Sequence, residues 1–328
     1  MIAAPASPRD GDTPARVVVL AGGMSHERDV SLRSGRRVAE ALKSAGHEVW
    51  VHDVDADLIP ALAAASPDLV WPVLHGASGE DGSIPDVLEL LGLRYLGTGP
   101  RASRIAWNKP IAKTVVARAG LATPDFVTLP QSLFRELGAG RVLDALLSRF
   151  PLPLVVKPSR GGSALGVTLV RDAGELARAM VDAFAYADTA LIERAVMGRE
   201  LAVSVVEDAD GPRALPAVEI VTDGPYDYDA RYNPGRTEYF TPARLSDAEA
   251  EAVAAVAIGA HRALGLRHLS RTDLLLDVAG SPQFLEVNVA PGMTETSLFP
   301  QAALAGGHDL PALYHSLVAA ALADLSPR

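Results

Sequence analysis

Residues 16–23, Arg-Val-Val-Val-Leu-Ala-Gly-Gly, determine the fold that we expect for the first part of this chain. The run is short, apolar and mostly β-branched, and two glycines end it, which predicts a buried parallel strand followed by a tight turn. A helix is predicted after this turn, because apolar side chains recur at helical spacing from Val38 to Ala45 and Gly46 ends the pattern.

The same alternation continues, with strands predicted near 48–52 and 69–74 and a helix near 58–65 between them. This order indicates a Rossmann-like βαβ sheet with helices on its faces. We therefore predict an N-terminal α/β domain at 16–100, after a flexible tail at 1–15 that is rich in Ala, Pro, Asp and Gly.

Composition limits the classes of protein to which the chain can belong. It has 328 residues, of which 48% are hydrophobic, a net charge of −10 and no cysteine. Disulfide frameworks, thiolate zinc sites, iron–sulfur clusters and a thiol nucleophile are therefore excluded. No basic stripe indicates a nucleic-acid partner, and no apolar run approaches the ~20 residues of a membrane span. Residues 1–15 lack the features of a signal peptide, so the sequence predicts a cytoplasmic protein.

The middle of the chain has clear helix and strand signals. Asn108 is a candidate helix cap, and Gly120 follows the end of the helix that it would begin. Strands are predicted at 154–157 and 167–171, joined by a glycine-rich loop.

The last third predicts further strands and two helices. A capping box from Ser246 to Glu249 opens a helix to about Leu264, and a second amphipathic helix is predicted at 310–322. Two polar, glycine-rich segments, 76–83 and 223–242, are predicted to be mobile loops.

Two predicted strands, 269–278 and 283–289, carry the strongest candidate for a metal site. Side chains alternate along a strand, so Arg271 and Asp273 share one face, as do Glu286 and Asn288. Leu274, Leu276, Leu285 and Val287 are expected to point the other way. Two carboxylates and an amide oxygen suit Mg²⁺, whereas an exposed hairpin with one charged face explains the same spacing equally well.

The segment from Lys157 to Ser163 places a lysine at a strand end and then a glycine-rich loop. Only four of the 30 basic residues are lysines, namely Lys43, Lys109, Lys113 and Lys157. The loop can fold over phosphates, although it lacks the P-loop pattern and an ordinary hairpin turn is the simpler interpretation. Residues 193–196 and Glu200 can likewise contact an adenine edge and a ribose, or merely connect two strands.

Residues 22–28, Gly-Gly-Met-Ser-His-Glu-Arg, follow the first strand at the edge where open α/β sheets bind ligands. Glu27 is a candidate receptor for a substrate ammonium, or else an acid that stabilises the N-terminus of the next helix. His75 opens a second such loop, and on sequence alone its role is as plausibly structural as functional.

In combination, these segments resemble the D-alanine–D-alanine ligase family of the ATP-grasp superfamily. The resemblance runs from about residue 16 to the C-terminus, and the two most specific signatures are Glu27-Arg28-x-Val30-Ser31 and Asn288-x-x-Pro291-Gly292-Met293-Thr294. The other matching pieces are 75–82, Lys157-Pro158 with Gly162-Ser163, Tyr226-Asp227-Tyr228 with Arg231-Tyr232, and Arg271-Thr272-Asp273.

The resemblance implies a three-domain ATP-grasp architecture, α/β overall and α+β in the C-terminal part. The central subdomain would span 101–192, and the C-terminal domain would span 193–328 with a lid loop at 223–242. ATP would bind between them, and the implied contacts are Lys109, Lys157, Glu193, Arg194, Val196, Glu200 and Arg231. Two Mg²⁺ or Mn²⁺ ions would be held by Asp273, Glu286 and Asn288.

The implied reaction joins two D-alanines through an acyl phosphate and supplies a peptidoglycan precursor. The implied catalytic residues are Glu27, Ser163, Tyr232, Arg271 and Gly292, and the implied substrate-binding residues are Glu27, His75, Ser297 and Leu298. Tyr232 favours an amide product over an ester, and the family suggests a homodimer.

Several positions depart from the family pattern, among them arginines at 194 and 231 where lysine is usual. Two alternatives therefore stand beside the ligase. One is a paralogue that joins other amino acids or a D-hydroxy acid in resistance or specialised metabolism, and the other is a non-catalytic nucleotide-binding module.

Overall fold

The structure is a computed structural model that describes residues 13–222 and 237–324. Most of the predicted tail and most of the predicted lid loop, including Arg231 and Tyr232, lie outside these ranges. The fold consists of three sheets, one parallel and two antiparallel, with helices packed against them.

The N-terminal sheet is parallel, with its strands in the order β2-β1-β3. Its elements are β1 (Arg16–Leu20), α1 (Arg28–Ser44), β2 (Glu48–His52), α2 (Leu58–Ala65) and β3 (Leu69–Pro72). The βαβ prediction is therefore confirmed, with one difference at the end of β3. That strand was expected to reach Leu74 but ends at Pro72, which has no N–H for a ladder hydrogen bond.

Four helices follow: α3 (Ala77–Glu80), α4 (Ser83–Leu90), α5 (Pro100–Trp107) and α6 (Lys109–Arg118). The prediction that 76–83 is a loop was wrong for 77–80, which form one helical turn, and for Ser83, which begins α4. The cap prediction is confirmed, because Asn108 Oδ1 accepts a hydrogen bond from the Ile111 N–H at 3.2 Å.

The central sheet is antiparallel, with the order β4-β7-β5-β6. It is built from β4 (Phe126–Pro130), α7 (Gln131–Leu137), α8 (Ala139–Arg149), β5 (Leu154–Pro158), β6 (Thr168–Val170), α9 (Leu176–Phe184) and β7 (Thr189–Arg194). Helices α8 and α9 cover one face through Leu146 and Met180, which pack in one cluster with Val156. The glycine-rich loop joins β5 to β6, as expected.

The C-terminal sheet has the order β11-β10-β8-β12-β13, with β9 paired to β8. Its elements are β8 (Gly198–Asp208), β9 (Gly211–Ala214), β10 (Val218–Thr222), β11 (Thr237–Phe240), α10 (Asp247–Ala263), β12 (Leu269–Asp277), β13 (Pro282–Asn288), α11 (Leu298–Ala305) and α12 (Leu310–Ala323). The predicted capping box is present, with the Ser246 and Glu249 side chains each bonded to the other residue's backbone N–H.

One predicted side-chain direction in this sheet is wrong. The register between β12 and β13 shifts after Asp273, which pairs with Glu286, so that Leu274 pairs with Phe284. This bulge leaves Leu285 without a cross-strand partner and turns it toward the cavity that Leu275 and Glu286 also line. Strict alternation placed Leu285 on the opposite face.

The C-terminal helices fold back onto the N-terminal sheet. Tyr314 of α12 meets Trp71 of β3 edge to face, with ring centroids 5.3 Å apart, and both lie in one core cluster with Val17 and Phe299. This packing brings the carboxyl edge of the first sheet close to β12 and β13. In the part of the chain that the structure describes, no helix has both the length and the apolar content to cross a bilayer.

Candidate active site

Three adjoining cavities lie where the three sheets meet, and the two smaller ones contain the predicted metal ligands and nucleotide contacts that the structure describes. The inner cavity, of about 160 Å³, is lined by residues that include Glu27, His75, Glu80, Arg271, Asn288 and Ser297. The strand-side cavity, of about 490 Å³, is lined by residues that include Lys157, Glu193, Arg194, Val196, Glu200 and Leu285. Both are bounded by Lys109, Gly161, Gly162, Asp273 and Glu286, which form the shared wall.

Glu27 and Ser163 meet in the inner cavity, although 136 positions separate them in the sequence. The Ser163 Oγ donates a hydrogen bond to Glu27 Oε1 at 2.5 Å. Ser163 adopts φ +53° and Ala164 adopts φ +54°, values that are uncommon for residues with a side chain. Glu27 is the N-cap residue of α1 and its side chain makes no capping hydrogen bond there, so its carboxylate can act on the helix only through its charge.

His75 is buried and connects the end of β3 to the turn after β13. Its Nδ1 lies 2.9 Å from the Ala290 carbonyl oxygen, which only accepts, so the proton must reside on Nδ1. Nε2 then accepts from the Ser34 hydroxyl at 3.0 Å, and that hydroxyl accepts from the Met293 N–H at 3.1 Å. Burial lowers the pKa of His75 and keeps the ring neutral. Both ring nitrogens are therefore engaged with the protein itself.

Glu80 is a residue of the site that sequence reasoning missed. It lies buried in α3, where Oε1 accepts from the Gly76 N–H at 2.9 Å. Burial, and next the negative charge of Glu27, raise the pKa of Glu80 to about 8. No local signal distinguishes it, because Gly79-Glu80-Asp81-Gly82 has the composition of an exposed turn.

Strands β12 and β13 bring the predicted metal ligands together. Arg271 is paired with Asn288 across the ladder, and Asp273 with Glu286. The Arg271 guanidinium forms a bidentate contact with Asp273, donating from Nε at 2.7 Å and from Nη2 at 2.8 Å. Lys109 Nζ lies 3.1 Å from Glu286 Oε2 and also contacts the Gly161 carbonyl oxygen.

This donor set fits a divalent cation that prefers oxygen. Asp273, Glu286 and Asn288 are neighbours on one sheet face and border the inner cavity, unlike the side chains of an exposed hairpin. Within residues 13–222 and 237–324 no three His, Cys, Asp or Glu side chains converge as a metal cluster. The two carboxylates and the amide would therefore need further oxygen ligands from a bound phosphate or from water.

The strand-side cavity contains the predicted nucleotide contacts that the structure describes. Lys157 Nζ lies 2.5 Å from Glu193 Oε1, and Lys113 Nζ lies 3.0 Å from Glu193 Oε2. Glu193 is therefore enclosed between two lysines, whereas the resemblance places it against adenine. Arg194 is exposed and pairs with Asp125 at 3.2 Å. Val196 lies in the link between β7 and β8, Glu200 lies in β8, and both line the same cavity.

Lys113 was not among the predicted site residues, although its spacing of four residues from Lys109 places both lysines on one face of α6. It is fully buried, and burial lowers its pKa to about 8 while Glu193 opposes the shift. Two basic groups thus share one buried carboxylate. Burial would raise the pKa of Glu193, but Lys157 and Lys113 outweigh it and lower that pKa.

The turn after β13 supplies the other predicted groups. A Cβ on Gly292 would come within 2.7 Å of Ser297 Oγ, so the close approach of this turn depends on glycine. Ser297 Oγ accepts from the Thr294 N–H at 3.0 Å, and Leu298 is the first residue of α11. Backbone N–H groups at a helix start favour an anion such as a carboxylate. Gly292, Ser297 and Leu298 all border the inner cavity.

The structure therefore brings together every predicted site residue within the described ranges. Arg231 and Tyr232 lie outside those ranges, and their contributions stay predictions.

Comparison with known proteins gives a consistent result. A family model described as D-ala D-ala ligase C-terminus matches residues 115–319. A D-alanine–D-alanine ligase of Anaeromyxobacter dehalogenans is 42% identical over 302 residues, which cover 92% of this chain and 95% of that protein. One from Bordetella petrii is 42% identical over 313 residues, covering 95% of this chain and 94% of that protein.

Solved structures agree with these relatives. The D-alanine–D-alanine ligase from Bacillus anthracis superposes with a TM-score of 0.78 at 29% identity, covering 94% of this chain and 97% of that one. The VanG D-Ala:D-Ser ligase from Enterococcus faecalis superposes with a TM-score of 0.81 at 26% identity, covering 94% and 100%. The predicted mixed α/β ATP-grasp architecture is thereby confirmed, and this chain belongs to the D-alanine–D-alanine ligase family.

Proposed function

We propose that this protein is an ATP-dependent ligase that joins two D-alanines into D-alanyl-D-alanine for peptidoglycan synthesis, with release of ADP and phosphate. The observation that carries the proposal is the shared wall. It places Lys109, Asp273 and Glu286 between a cavity suited to a nucleotide and a smaller one that contains Glu27, Ser163 and Arg271.

ATP occupies the strand-side cavity in this proposal. Its volume of about 490 Å³ lies within the range of small-molecule sites. Lys109 and Lys157 contact phosphates, the segment from Glu193 to Val196 borders the adenine, and Glu200 accepts from the ribose hydroxyls. Arg194 contributes positive charge at the mouth of the cavity.

Asp273, Glu286 and Asn288 would hold two Mg²⁺ or Mn²⁺ ions beside the phosphates. Bound there, the ions supply positive charge that offsets the repulsion between phosphate and an approaching carboxylate. Asp273 and Glu286 border both cavities, whereas Asn288 borders only the inner one. Lys109 and Arg271, which pair with these carboxylates, contribute two further positive charges to the same wall.

The first step needs the carboxylate of one D-alanine beside the γ-phosphate. That carboxylate attacks the phosphorus, the bond to the ADP oxygen breaks, and an acyl phosphate forms. Glu27, oriented by its hydrogen bond from Ser163, holds the ammonium group of this D-alanine. The held ammonium fixes the direction of attack, which makes the reaction effectively intramolecular.

The second step needs a second D-alanine with a free amine. The ammonium group loses one proton to solvent, the free amine attacks the acyl carbon, and phosphate leaves from the tetrahedral intermediate with the second proton of the attacking nitrogen. Arg271 and the Gly292 N–H stabilise the oxyanion. Ser297 and the Leu298 N–H hold the carboxylate of this D-alanine, and His75 holds the turn that carries Gly292 through its bond to Ala290.

A related ligase with another acceptor is less well supported. The relatives that share about two fifths of their residues with this chain are named D-alanine–D-alanine ligases, whereas the D-Ala:D-Ser enzyme is 26% identical. The resemblance also supports a homodimer, and dependence on ATP supports a cytoplasmic location.

The direct test is an assay of the purified protein with ATP, Mg²⁺ and D-alanine, in which phosphate release and the dipeptide mass are both measured. We expect one phosphate per dipeptide. L-alanine, D-serine and D-lactate serve as competing acceptors. Absence of D-alanine-dependent phosphate release would contradict the proposal, and a clear preference for another acceptor would select the paralogue.

A further inference from the structure

A buried charge cluster made of Lys113, Glu193 and Lys157 lies beneath the strand-side cavity. Glu193 is 3% exposed, and its two carboxylate oxygens lie 2.5 Å from Lys157 Nζ and 3.0 Å from Lys113 Nζ. A buried carboxylate needs at least one cationic partner, because an unpaired charge in the interior is strongly destabilising. With two cations on one carboxylate, one of the pairings is not required to keep Glu193 ionised.

The two lysines are not equivalent in their surroundings. Lys157 is the second-last residue of β5, before Pro158 and the glycine-rich loop, and it lines the strand-side cavity. Lys113 does not border that cavity. Its Nζ donates to Thr123 Oγ1 at 2.5 Å and to the Phe284 carbonyl oxygen at 3.4 Å, and it lies 5.5 Å from the centre of the Phe126 ring.

These contacts hold Lys113 in place from three elements. It belongs to α6, Thr123 lies in the link to β4, and Phe284 belongs to β13 of the C-terminal sheet. Lys157 is therefore the member of the cluster that can turn toward a ligand, and Lys113 is the one that stays. If Lys157 moved without Lys113 present, Glu193 would be left as an unpaired buried charge.

We propose that Lys113 is a positioning residue for ATP binding: it keeps Glu193 paired when Lys157 turns from Glu193 to the nucleotide phosphates. The inference rests on the proposed ATP site, and it adds that tight binding of ATP there requires Lys113. Without Lys113, Glu193 would stay paired with Lys157. ATP would then have to compete with Glu193 for this lysine.

The test is a double-mutant cycle in the full-length protein, with the dissociation constant of ATP measured by calorimetry in the absence of D-alanine. We expect Lys113→Met to raise this constant at least about tenfold, because the freed carboxylate competes for Lys157. In a Glu193→Gln background the same change should alter the constant less than about twofold, because no buried charge remains to hold Lys157.

Lys43→Met is the matched control, because Lys43 is exposed in the last turn of α1. Thermal unfolding of each variant identifies any that does not fold. If the Lys113→Met protein does not fold, the double variant, which lacks both the lysine and the carboxylate, can still be compared with the Glu193→Gln variant. A purely structural role would change the KM for D-alanine and the kcat together and would persist in the Glu193→Gln background.

Two results would overturn the inference. One is a folded Lys113→Met protein that binds ATP within about twofold of the wild type, and the other is an equal loss in both backgrounds. In either case wild-type ATP binding and ligation would remain, so the proposed function would stand. Failure of the wild-type protein to bind ATP would instead remove the proposed function and this inference together.

Discussion

Two buried glutamates on opposite sides of the shared wall have pKa values that are shifted in opposite directions. Glu193 is 3% exposed and its pKa is lowered, whereas Glu80 is 7% exposed and its pKa is raised to about 8. Desolvation acts on both in the same direction. The difference arises from the neighbours, because Glu193 has two lysines in contact and Glu80 has Glu27 nearby with only distant cations.

We call these regions the cation end, made of Lys113, Lys157 and Glu193, and the acid end, made of Glu27, Glu80 and Ser163. The cation end suits phosphates and the acid end suits an ammonium group. A ligase of this kind must hold both in one site, and the shared wall separates them. Burial alone therefore does not decide the charge of a side chain; the neighbouring charges do.

The largest expected effect comes from a change in the wall between the two ends. Glu286→Gln removes a carboxylate that faces both cavities, and we expect kcat to fall about 10³-fold or more. The fold should persist, because Gln is nearly isosteric and Glu286 is only partly buried. Phosphate release measures kcat, and thermal unfolding measures stability.

Glu40→Gln is the control for this variant, since Glu40 is exposed on α1. Activity of Glu286→Gln near the wild-type level would show that this sheet face is not the metal site.

At the acid end, Ser163→Ala removes the hydrogen bond to Glu27. A hydrogen bond to a charged group contributes about 1.5–3 kcal/mol, so kcat/KM for D-alanine should fall about 10- to 100-fold, mainly through KM. Backbone strain does not complicate the result, because Ala164 next to it already adopts φ +54°. Steady-state kinetics at saturating ATP give KM. If KM for D-alanine did not change, the assignment of Glu27 and Ser163 to the ammonium would be wrong.

Glu80 makes the acid end sensitive to pH. Its folded-state pKa is raised to about 8 from an ordinary value of 4.5, so the folded state binds the proton more tightly than the unfolded state. The stabilisation by this proton is fully present below the unfolded-state pKa of 4.5, and it is lost as pH rises through the folded-state pKa of about 8. Between pH about 6 and about 8 we expect the free energy of unfolding of the wild type to fall by roughly 1–3 kcal/mol. The Glu80→Gln variant should not show this decrease.

Urea unfolding of both proteins at the two pH values measures this loss. Gln keeps an oxygen that can accept from the Gly76 N–H, so the variant itself should fold. If the free energy of unfolding changed equally with pH in the wild type and the variant, Glu80 would be ionised throughout this range.

The smallest effect is expected at the rim of the cation end. Arg194→Gln breaks an ion pair with Asp125 in which both side chains are mostly exposed. Such pairs contribute little, and we expect the KM for ATP to change less than about threefold. A tenfold or larger increase in this KM would show that Arg194 contacts ATP directly and belongs to the cation end.

Much of the local structure follows from short stretches of sequence. The strand at 16–20 and the caps at Asn108 and Ser246 depend on neighbours within a few residues, and the structure agrees with all three. The family resemblance rests on longer patterns of the same kind, and comparison with known proteins confirms it.

Other features depend on segments that are distant in sequence. A single β13 bulge reverses the direction of Leu285, and the helical turn at 77–80 buries Glu80 where composition predicts a loop. Lys113 has the same chemistry as exposed Lys43, yet it is buried because α6 packs against β13. Sequence by itself therefore determined most of the elements and the family, and it named the candidate site residues that the structure brings together. Only the tertiary structure decided which side chains are desolvated and which charges surround them, because both depend on what packs from elsewhere in the chain.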